Sequence, residues 1–277
     1  MSERLVSIVV ICHNYARFLP DAIESGLGQD DADVEVIVID DGSTDNSLEV
    51  ASRYEGQARV LTQANQGLAA TCNRGAREAT GETFMFLSAD DRLEPSYVSE
   101  LRSSLERTPE ASFAYCAARL FGVQSGVAPS RPFSAFSLIR GRNYINGSAL
   151  TRRAAYLDAG GYPEDLGAGA FDDWDFWLTM LELGHRGTYV PNPLLHWRRH
   201  EGGSKDPASR GASDVETTRI RQRHPDLMRR VSGKRGLAAY AIDRGVGLAD
   251  RLLGISRNER LLAACERASW RRFLATE

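Results

Sequence analysis

Cysteine is scarce in this 277-residue chain, and the four present, Cys12, Cys72, Cys116 and Cys265, form no Cys-x-x-Cys pair. That scatter argues against a zinc ribbon or a secreted disulfide framework, so a reducing, cytoplasmic setting is expected. No apolar run approaches the roughly 20 residues needed to cross a bilayer. Nothing at the N-terminus resembles a signal peptide either, because Glu3 and Arg4 lead at once into a strand-like run. The glycine fingerprint of dinucleotide-binding folds is missing as well. After the first expected strand the chain reads Cys12-His13-Asn14-Tyr15-Ala16-Arg17, without a glycine, and no P-loop occurs. A nucleotide diphosphate held on such a loop would therefore need a metal to neutralise it. Internal repeats and low-complexity runs are absent too.

What is present fits a packed globular chain, with 42% hydrophobic and 26% charged residues. The net charge of −3 conceals an asymmetry. From Arg219 onward there are 14 Arg or Lys against 6 Asp or Glu, an excess of eight positive charges, so residues 1–218 carry −11.

Apolar runs at 5–12, 34–39, 60–62, 83–87 and 112–121 read as strands, and helical spacing follows at 18–27, 48–54, 67–80 and 95–107. Asp45 is placed to cap the second helix, and Gly81 to close the third in a left-handed conformation. This alternation predicts an α/β fold with a mostly parallel sheet covered by helices on both faces. Residues 123–143 read as a long loop. A strand near 148–151, helices over 153–159 and 172–183, and strand-like pieces at 187–190 and 194–198 come next, with a helical basic tail last.

Acidic pairs punctuate this order. Asp40-Asp41 and Asp90-Asp91 end strands of one parallel sheet, and Asp172-Asp173 opens a helix. The C-terminal edge of such strands is where open α/β sheets bind ligands. Adjacent carboxylates there repel unless a cation or hydrogen-bond donors offset their charge, which favours a hard divalent metal.

Six segments then occur in order: 6–15, Asp40-Asp41-Gly42-Ser43-Thr44-Asp45, Asn65-Gln66-Gly67-Leu68-Ala69-Ala70, Ser88-Ala89-Asp90-Asp91, Asp172-Asp173-Trp174-Asp175-Phe176-Trp177 and Arg199-His200-Glu201-Gly202-Gly203-Ser204. Together they resemble family-two glycosyltransferases of the GT-A fold, a Rossmann-like nucleotide-diphospho-sugar transferase architecture. The resemblance implies a catalytic domain over 1–210, with 211–277 as a basic helical C-terminal extension.

It also implies roles. A nucleotide diphosphate sugar donor would lie against Cys12, His13, Asn14, Asp41, Asn65, Gly67, Asn73 and Asp90, with Asp41 accepting a hydrogen bond from the base. Asp91, with Asp90 and His200, would hold Mn²⁺ or Mg²⁺ on the diphosphate. Asp173 would be the general base of an inverting transfer to a hydroxyl on a saccharide or lipid-linked acceptor, in building a surface polysaccharide or glycolipid. UDP- or dTDP-sugars are the donors expected by family habit. His13 stands where an aromatic is usual, and Cys72 where an Arg often lies near the diphosphate.

Trp174 and Trp177, three apart on one helix face, are expected in the core, with sugar stacking as the alternative. Arg198-Arg199 reads either as a solvated face or as a phosphate contact. The tail has two readings. Leu237, Ala241, Leu248, Leu252 and Ile255 recur among arginines, which suits a packing or homodimer helix, or one adhering to an anionic membrane leaflet on the inner face of the cell membrane. Nucleic acid is not an expected partner, because the body is acidic and no binding motif accompanies the tail.

Overall fold

The strand Val6–Cys12 (β1) lies buried along its whole length between two parallel neighbours, Val34–Asp41 (β2) and Thr83–Ser88 (β4). The computed structural model describes residues 5–30, 33–140, 143–166, 172–201, 213–233 and 259–275, with isolated positions between.

Successive side chains of a strand point to opposite faces, and here both faces are covered. Val9, Ile11, Ile37, Ile39, Phe84 and Phe86 join one buried cluster, and Val6, Ile8, Val10, Val36, Val38, Met85 and Leu87 the other. That is why these strands are apolar throughout rather than alternating. Helices Leu19–Leu27 (α1) and Tyr97–Arg107 (α4) cover the second cluster, and Leu68–Glu78 (α3) covers the first.

The sheet runs in the order β3-β2-β1-β4-β8-β6-β9-β5, where β3 is Arg59–Gln63, β8 Leu150–Arg152, β6 Phe113–Gly122, β9 Gly187–Arg199 and β5 Arg92–Leu93. The two-residue strand β7 (Gly126–Val127) pairs with β6 off this path. Pairing is parallel through β3, β2, β1 and β4 and again between β6 and β9. The short β8 is antiparallel to both β4 and β6, so the sheet is mixed but largely parallel.

Three local expectations need correction. Gly81 does not adopt a left-handed conformation. The helix ends earlier, at Glu78, and a Cβ on Gly81 would stand 2.6 Å from the Leu5 carbonyl oxygen and 2.7 Å from that of Thr83, so close backbone approach is what requires glycine. The long loop expected at 123–143 contains a buried helix, Ala135–Arg140 (α5). The two late strand pieces are one strand, β9, whose register against β6 shifts beyond Val190. Pro191 and Pro193 lie at that irregularity and lack the donor a regular ladder needs, which masked the continuity in the sequence.

Helix α6 (Arg153–Asp158) follows β8, and helix α7 (Asp172–Glu182) lies in the core between α5 and the sheet. Trp174 and Trp177 are each 1% exposed. Trp174 Nε1 donates to the Leu138 carbonyl, and Trp177 stacks at 4.4 Å on Phe113, so both are core residues. Helices α8 (Ser213–Arg223), α9 (Pro225–Ser232) and α10 (Glu259–Leu274) place Ile220, Leu227, Val231 and Phe273 in the same apolar cluster. Most of the expected amphipathic run, including Leu237, Leu248, Leu252 and Ile255, lies outside the described residues.

Candidate active site

Register alone puts the first two acidic pairs on one rim. Cys12 is opposite Asp40 across β1 and β2, and Ile11 is opposite Ser88 across β1 and β4, so Asp40-Asp41 and Asp90-Asp91 emerge on either side of the β1 end. The chain turns sharply after each strand. Asn14 has φ 60°, a left-handed conformation that Asn tolerates, and its Oδ1 accepts from the Thr44 amide at 2.7 Å. Asp45 Oδ1 accepts from the Ser47 amide at 2.9 Å in the first turn of the short helix Ser47–Ser52 (α2). Gly42, at φ 67°, passes so near the Asn65 amide that a Cβ would sit 2.6 Å from it.

On the β2 side, Asp41 is almost buried and its carboxylate gathers three donors. Oδ1 accepts from Gln63 Nε2 at 2.8 Å and the Gln66 amide at 2.9 Å, and Oδ2 from the Gly67 amide at 2.9 Å. Asp41 thus holds the 65–67 turn at the start of α3. His13 Nδ1 lies 2.8 Å from the Asp41 carbonyl, which can only accept, so Nδ1 carries the proton. Its Nε2 then accepts from the side-chain amides of Asn14 and Asn65, both at 3.2 Å. His13, Asn14, Asp41, Asn65 and Gly67 form one polar wall.

Two expected donor contacts stand apart from that wall. Cys12 is fully buried within the apolar cluster on the α1 side, where burial foremost pushes its thiol above the ordinary value. Asn73 is also buried, and its amide is spent inside the protein. Nδ2 donates to the Tyr162 carbonyl at 2.9 Å and to Glu164 at 2.8 Å, while Oδ1 accepts from Tyr156 Oη at 2.7 Å and the Tyr162 amide at 2.8 Å. It ties α3 to the segment leading toward α7.

On the β4 side, Asp90 accepts a short hydrogen bond from Ser88, and its Oδ2 lies 3.0 Å from His200 Nε2. His200 packs against Phe18 at 5.0 Å and edge-on to Tyr15 at 5.8 Å. Asp91 Oδ1 accepts from the Arg198 amide at 2.8 Å, and Arg198 Nε donates to the Asp90 carbonyl at 2.8 Å. Burial first, and the Asp90 charge second, raise the Asp91 carboxyl well above the usual range. The same burial and the charges of Asp90 and Asp91 push Tyr15 up to about 12. Negative charge is therefore under-compensated here.

His200 bears on that deficit. Its Nδ1 lies 2.9 Å from the Glu201 carbonyl and so donates there, which turns Nε2 toward the Asp90 carboxylate. Nε2 and Asp90 Oδ2, 3.0 Å apart, are joined through a proton or a cation. Two carboxylates and an imidazole are the ligand types that suit Mn²⁺ or Mg²⁺, but among the described residues no group of three His, Cys, Asp or Glu side chains is arranged to hold a metal ion.

Asp173 stands on another element, half-buried in the first turn of α7. An aromatic relay fixes that turn relative to β4: Phe176 packs on Tyr156 at 4.8 Å and on Tyr162 at 5.2 Å, and these rings meet Phe86 at 5.7 and 5.6 Å. The preceding Gly167-Ala168-Gly169-Ala170 run lies outside the described residues.

Sequence reasoning gave no role to Gln63, Tyr15 or Phe18, and left Arg198 between two readings. Arg198 is packed between the rings of Phe18 and Phe121, at 4.5 and 4.4 Å, and paired with Asp21, so it is a structural brace of the site. Contacts from sheet strands to residues 107 positions away carry no local pattern.

Comparison with known proteins bears on the family and the fold. The profile of Glycosyl transferase family 2 matches residues 7–157. A glycosyltransferase of Nostoc, itself uncharacterized, is 44% identical over 94 residues, covering 32% of this chain and 29% of its own. A Bacillus subtilis protein provisionally named as the glycosyltransferase EpsE is 28% identical over 209 residues, 72% of this chain and 75% of its own. The chondroitin synthase of Pasteurella multocida is 37% identical over 97 residues, 34% of this chain and 10% of its own. The chain thus spans less than a third of the Nostoc protein and far less of the synthase.

Among solved structures, a fragment of S. aureus TarS in complex with UDP-GlcNAc superposes with a TM-score of 0.62 at 17% identity, covering 98% of this chain and 90% of that one. The mannosyltransferase PcManGT of Pyrobaculum calidifontis, in complex with GDP-Man and Mn²⁺, gives 0.57 at 18% identity over 95% and 86%. With its GT-A sheet, its ordered acidic motifs and a profile match over more than half its length, the chain belongs to glycosyl transferase family 2.

Proposed function

We propose that this protein is a metal-dependent, inverting glycosyltransferase that moves a sugar from a nucleotide diphosphate donor to an acceptor hydroxyl. The observation that carries the reading is the Asp90 carboxylate paired with His200 Nε2 3.0 Å away, beside Asp91, at the ends of the parallel strands.

Asp91, Asp90 and His200 would hold Mn²⁺ or Mg²⁺. Such an ion, when bound, offsets charge on the departing diphosphate oxygens. His13, Asn14, Asp41, Asn65 and Gly67 form the wall for the base and ribose, next along the rim from the acidic pair. A UDP- or dTDP-sugar is the donor class assigned, and the UDP-GlcNAc complex of TarS supports it.

Asp173 acts on the acceptor. Its carboxylate takes the proton of the attacking hydroxyl as the new bond to the anomeric carbon forms, and the pair of the breaking C–O bond leaves on the diphosphate. Inversion follows from attack opposite the leaving group. The acceptor is a saccharide or a lipid-linked saccharide of a surface polysaccharide or glycolipid, a reading that the chondroitin synthase relative supports. Residues 211–277 form a basic extension that contacts an anionic membrane leaflet or a second copy. Among the described residues, no helix is long and apolar enough to cross a membrane.

A panel of nucleoside diphosphates and their sugars, with and without Mn²⁺, tests the reading. Ligands of the folded state raise thermal stability by mass action, so one nucleotide series should raise the Tm only with metal. The same purified protein should slowly hydrolyse that donor. Metal-independent shifts would remove the metal from the mechanism, and binding without hydrolysis or transfer to any acceptor would reduce the protein to a nucleotide-sugar-binding module.

A further inference from the structure

Asp175 lies two residues beyond Asp173 on α7 and is 2% exposed, among the most buried carboxylates in the described chain. Its partners come from the C-terminal helices. Arg223 Nε, at the end of α8, is 2.9 Å from Asp175 Oδ1, and His224 Nε2, at the start of α9, is 3.2 Å from the same oxygen. His224 is itself buried, and Glu182 Oε2 lies 3.0 Å from its Nδ1 in a charge contact rather than an aligned hydrogen bond. Asp175 and Glu182 are seven residues apart, two helical turns, so one imidazole grips two points on one face of α7. Arg223 also reaches Asp165 at 2.7 Å, in the segment that leads into α7.

Burial alone would lower the His224 pKa. The Asp175 hydrogen bond and the Glu182 charge outweigh it and hold the imidazole above its ordinary value of 6.5. The charged groups around it are Asp175 and Glu182 of α7, with Arg223 adjacent and Asp165 beyond. Residues two apart on a helix point roughly 200° from each other, so the grip on Asp175 engages the side of α7 opposite Asp173. Apolar packing by Trp174, Phe176 and Trp177 already supplies the affinity of α7 for the core. Apolar contacts tolerate sliding and rotation, whereas a buried charged pair accepts one arrangement, and such pairs are weak sources of net stability.

We infer that His224 and Arg223 are positioning residues, a charged clamp from the C-terminal helices that sets the rotation of α7 and thereby the aim of Asp173. The clamp rests on the reading of Asp173 as the base only for its catalytic consequence. Its mechanical part stands separately.

The test uses the full chain with His224→Gln and Arg223→Gln, read by kinetics, nucleotide affinity and amide exchange over 172–182. Gln keeps a donor toward Asp175 without the charge, so the fold should hold. We expect kcat to fall roughly 10- to 100-fold, the size a displaced catalytic group produces, with the donor Kd within about threefold of wild type. In wild type, kcat should decline as pH rises through the elevated His224 pKa, and His224→Gln should lack that limb. Amides of the first α7 turn, corrected for intrinsic pH dependence, should exchange faster in both variants. Unchanged exchange overturns the clamp. Faster exchange with unchanged kcat, or with a fully active Asp173→Asn, keeps the clamp but removes Asp173 as the base it serves. Parallel loss of kcat, donor affinity and global stability would make the network a folding element only.

Discussion

The Arg198 amide donates to Asp91 Oδ1 at 2.8 Å, joining the end of β9 to the end of β4 across 107 residues of chain. The hydrogen bond fixes one oxygen of Asp91. Because the Arg198 side chain is wedged between Phe18 and Phe121, that orientation is set by packing and does not await a ligand.

Asp91→Asn should therefore leave the fold intact and abolish metal-dependent nucleotide binding. The Asn is close in shape and can still accept from the Arg198 amide, while losing the charge that a hard cation needs. Titration calorimetry of a nucleoside diphosphate with Mn²⁺ checks this. Undiminished metal-dependent affinity would remove Asp91 from the site.

Asp41 makes a different demand. Three N–H donors converge on its two oxygens, so an Asn there must turn an NH₂ toward at least one of them. Asp41→Asn should lose about 1–3 kcal/mol of stability in denaturant unfolding and weaken nucleotide binding with it. An unaltered midpoint would mean that the 65–67 turn does not depend on this carboxylate.

Asp173→Asn should separate chemistry from binding. Acceptor deprotonation belongs to the transition state, so kcat should fall by roughly 10²-fold or more while the donor Kd changes less than about threefold. Full turnover in this variant would move the base elsewhere, with Asp172 the next to test.

Much of this arrangement was legible because it is local. Continuous apolar runs followed by Asp40-Asp41 and Asp90-Asp91 announce buried parallel strands that end in charge, and β1, β2 and β4 are just that. What was not legible depends on partners far along the chain. Asn73 reads like any polar residue on a helix, yet its bonds to Tyr156, Tyr162 and Glu164 decide its place. Nothing near 135–140 shows a helical period, since Phe136, Ser137, Leu138 and Ile139 are buried on every side. Helix α10 read only as part of a basic tail because what it buries, Phe273 against Phe136 and one carboxylate, meets partners far along the chain.

That carboxylate, Glu266, yields the last prediction. It is 1% exposed, and Oε1 accepts from the Phe133 amide at 3.0 Å and the Tyr189 amide at 3.1 Å, while Oε2 lies 3.2 Å from Thr188 Oγ1. Burial pushes its pKa from 4.5 up to about 7, against the pull of these donors and of Arg186. The folded protein thus holds a proton that the unfolded chain releases. A carboxyl raised in this way contributes fully below its unfolded pKa of 4.5, and the contribution is lost as pH rises to about 7. In the protonated form Oε2 can donate to Thr188 while Oε1 keeps both amides, and Glu266→Gln reproduces that pattern without titrating. The stability of Glu266→Gln relative to wild type should therefore rise by roughly 3 kcal/mol between those pH values and stay level above them. Using the difference cancels other titrating groups such as His224. Denaturant unfolding of both proteins from pH 4.5 to 8 measures it, and a difference that stays flat across the range would show that Glu266 titrates normally and that α10 is not held by a buried neutral acid.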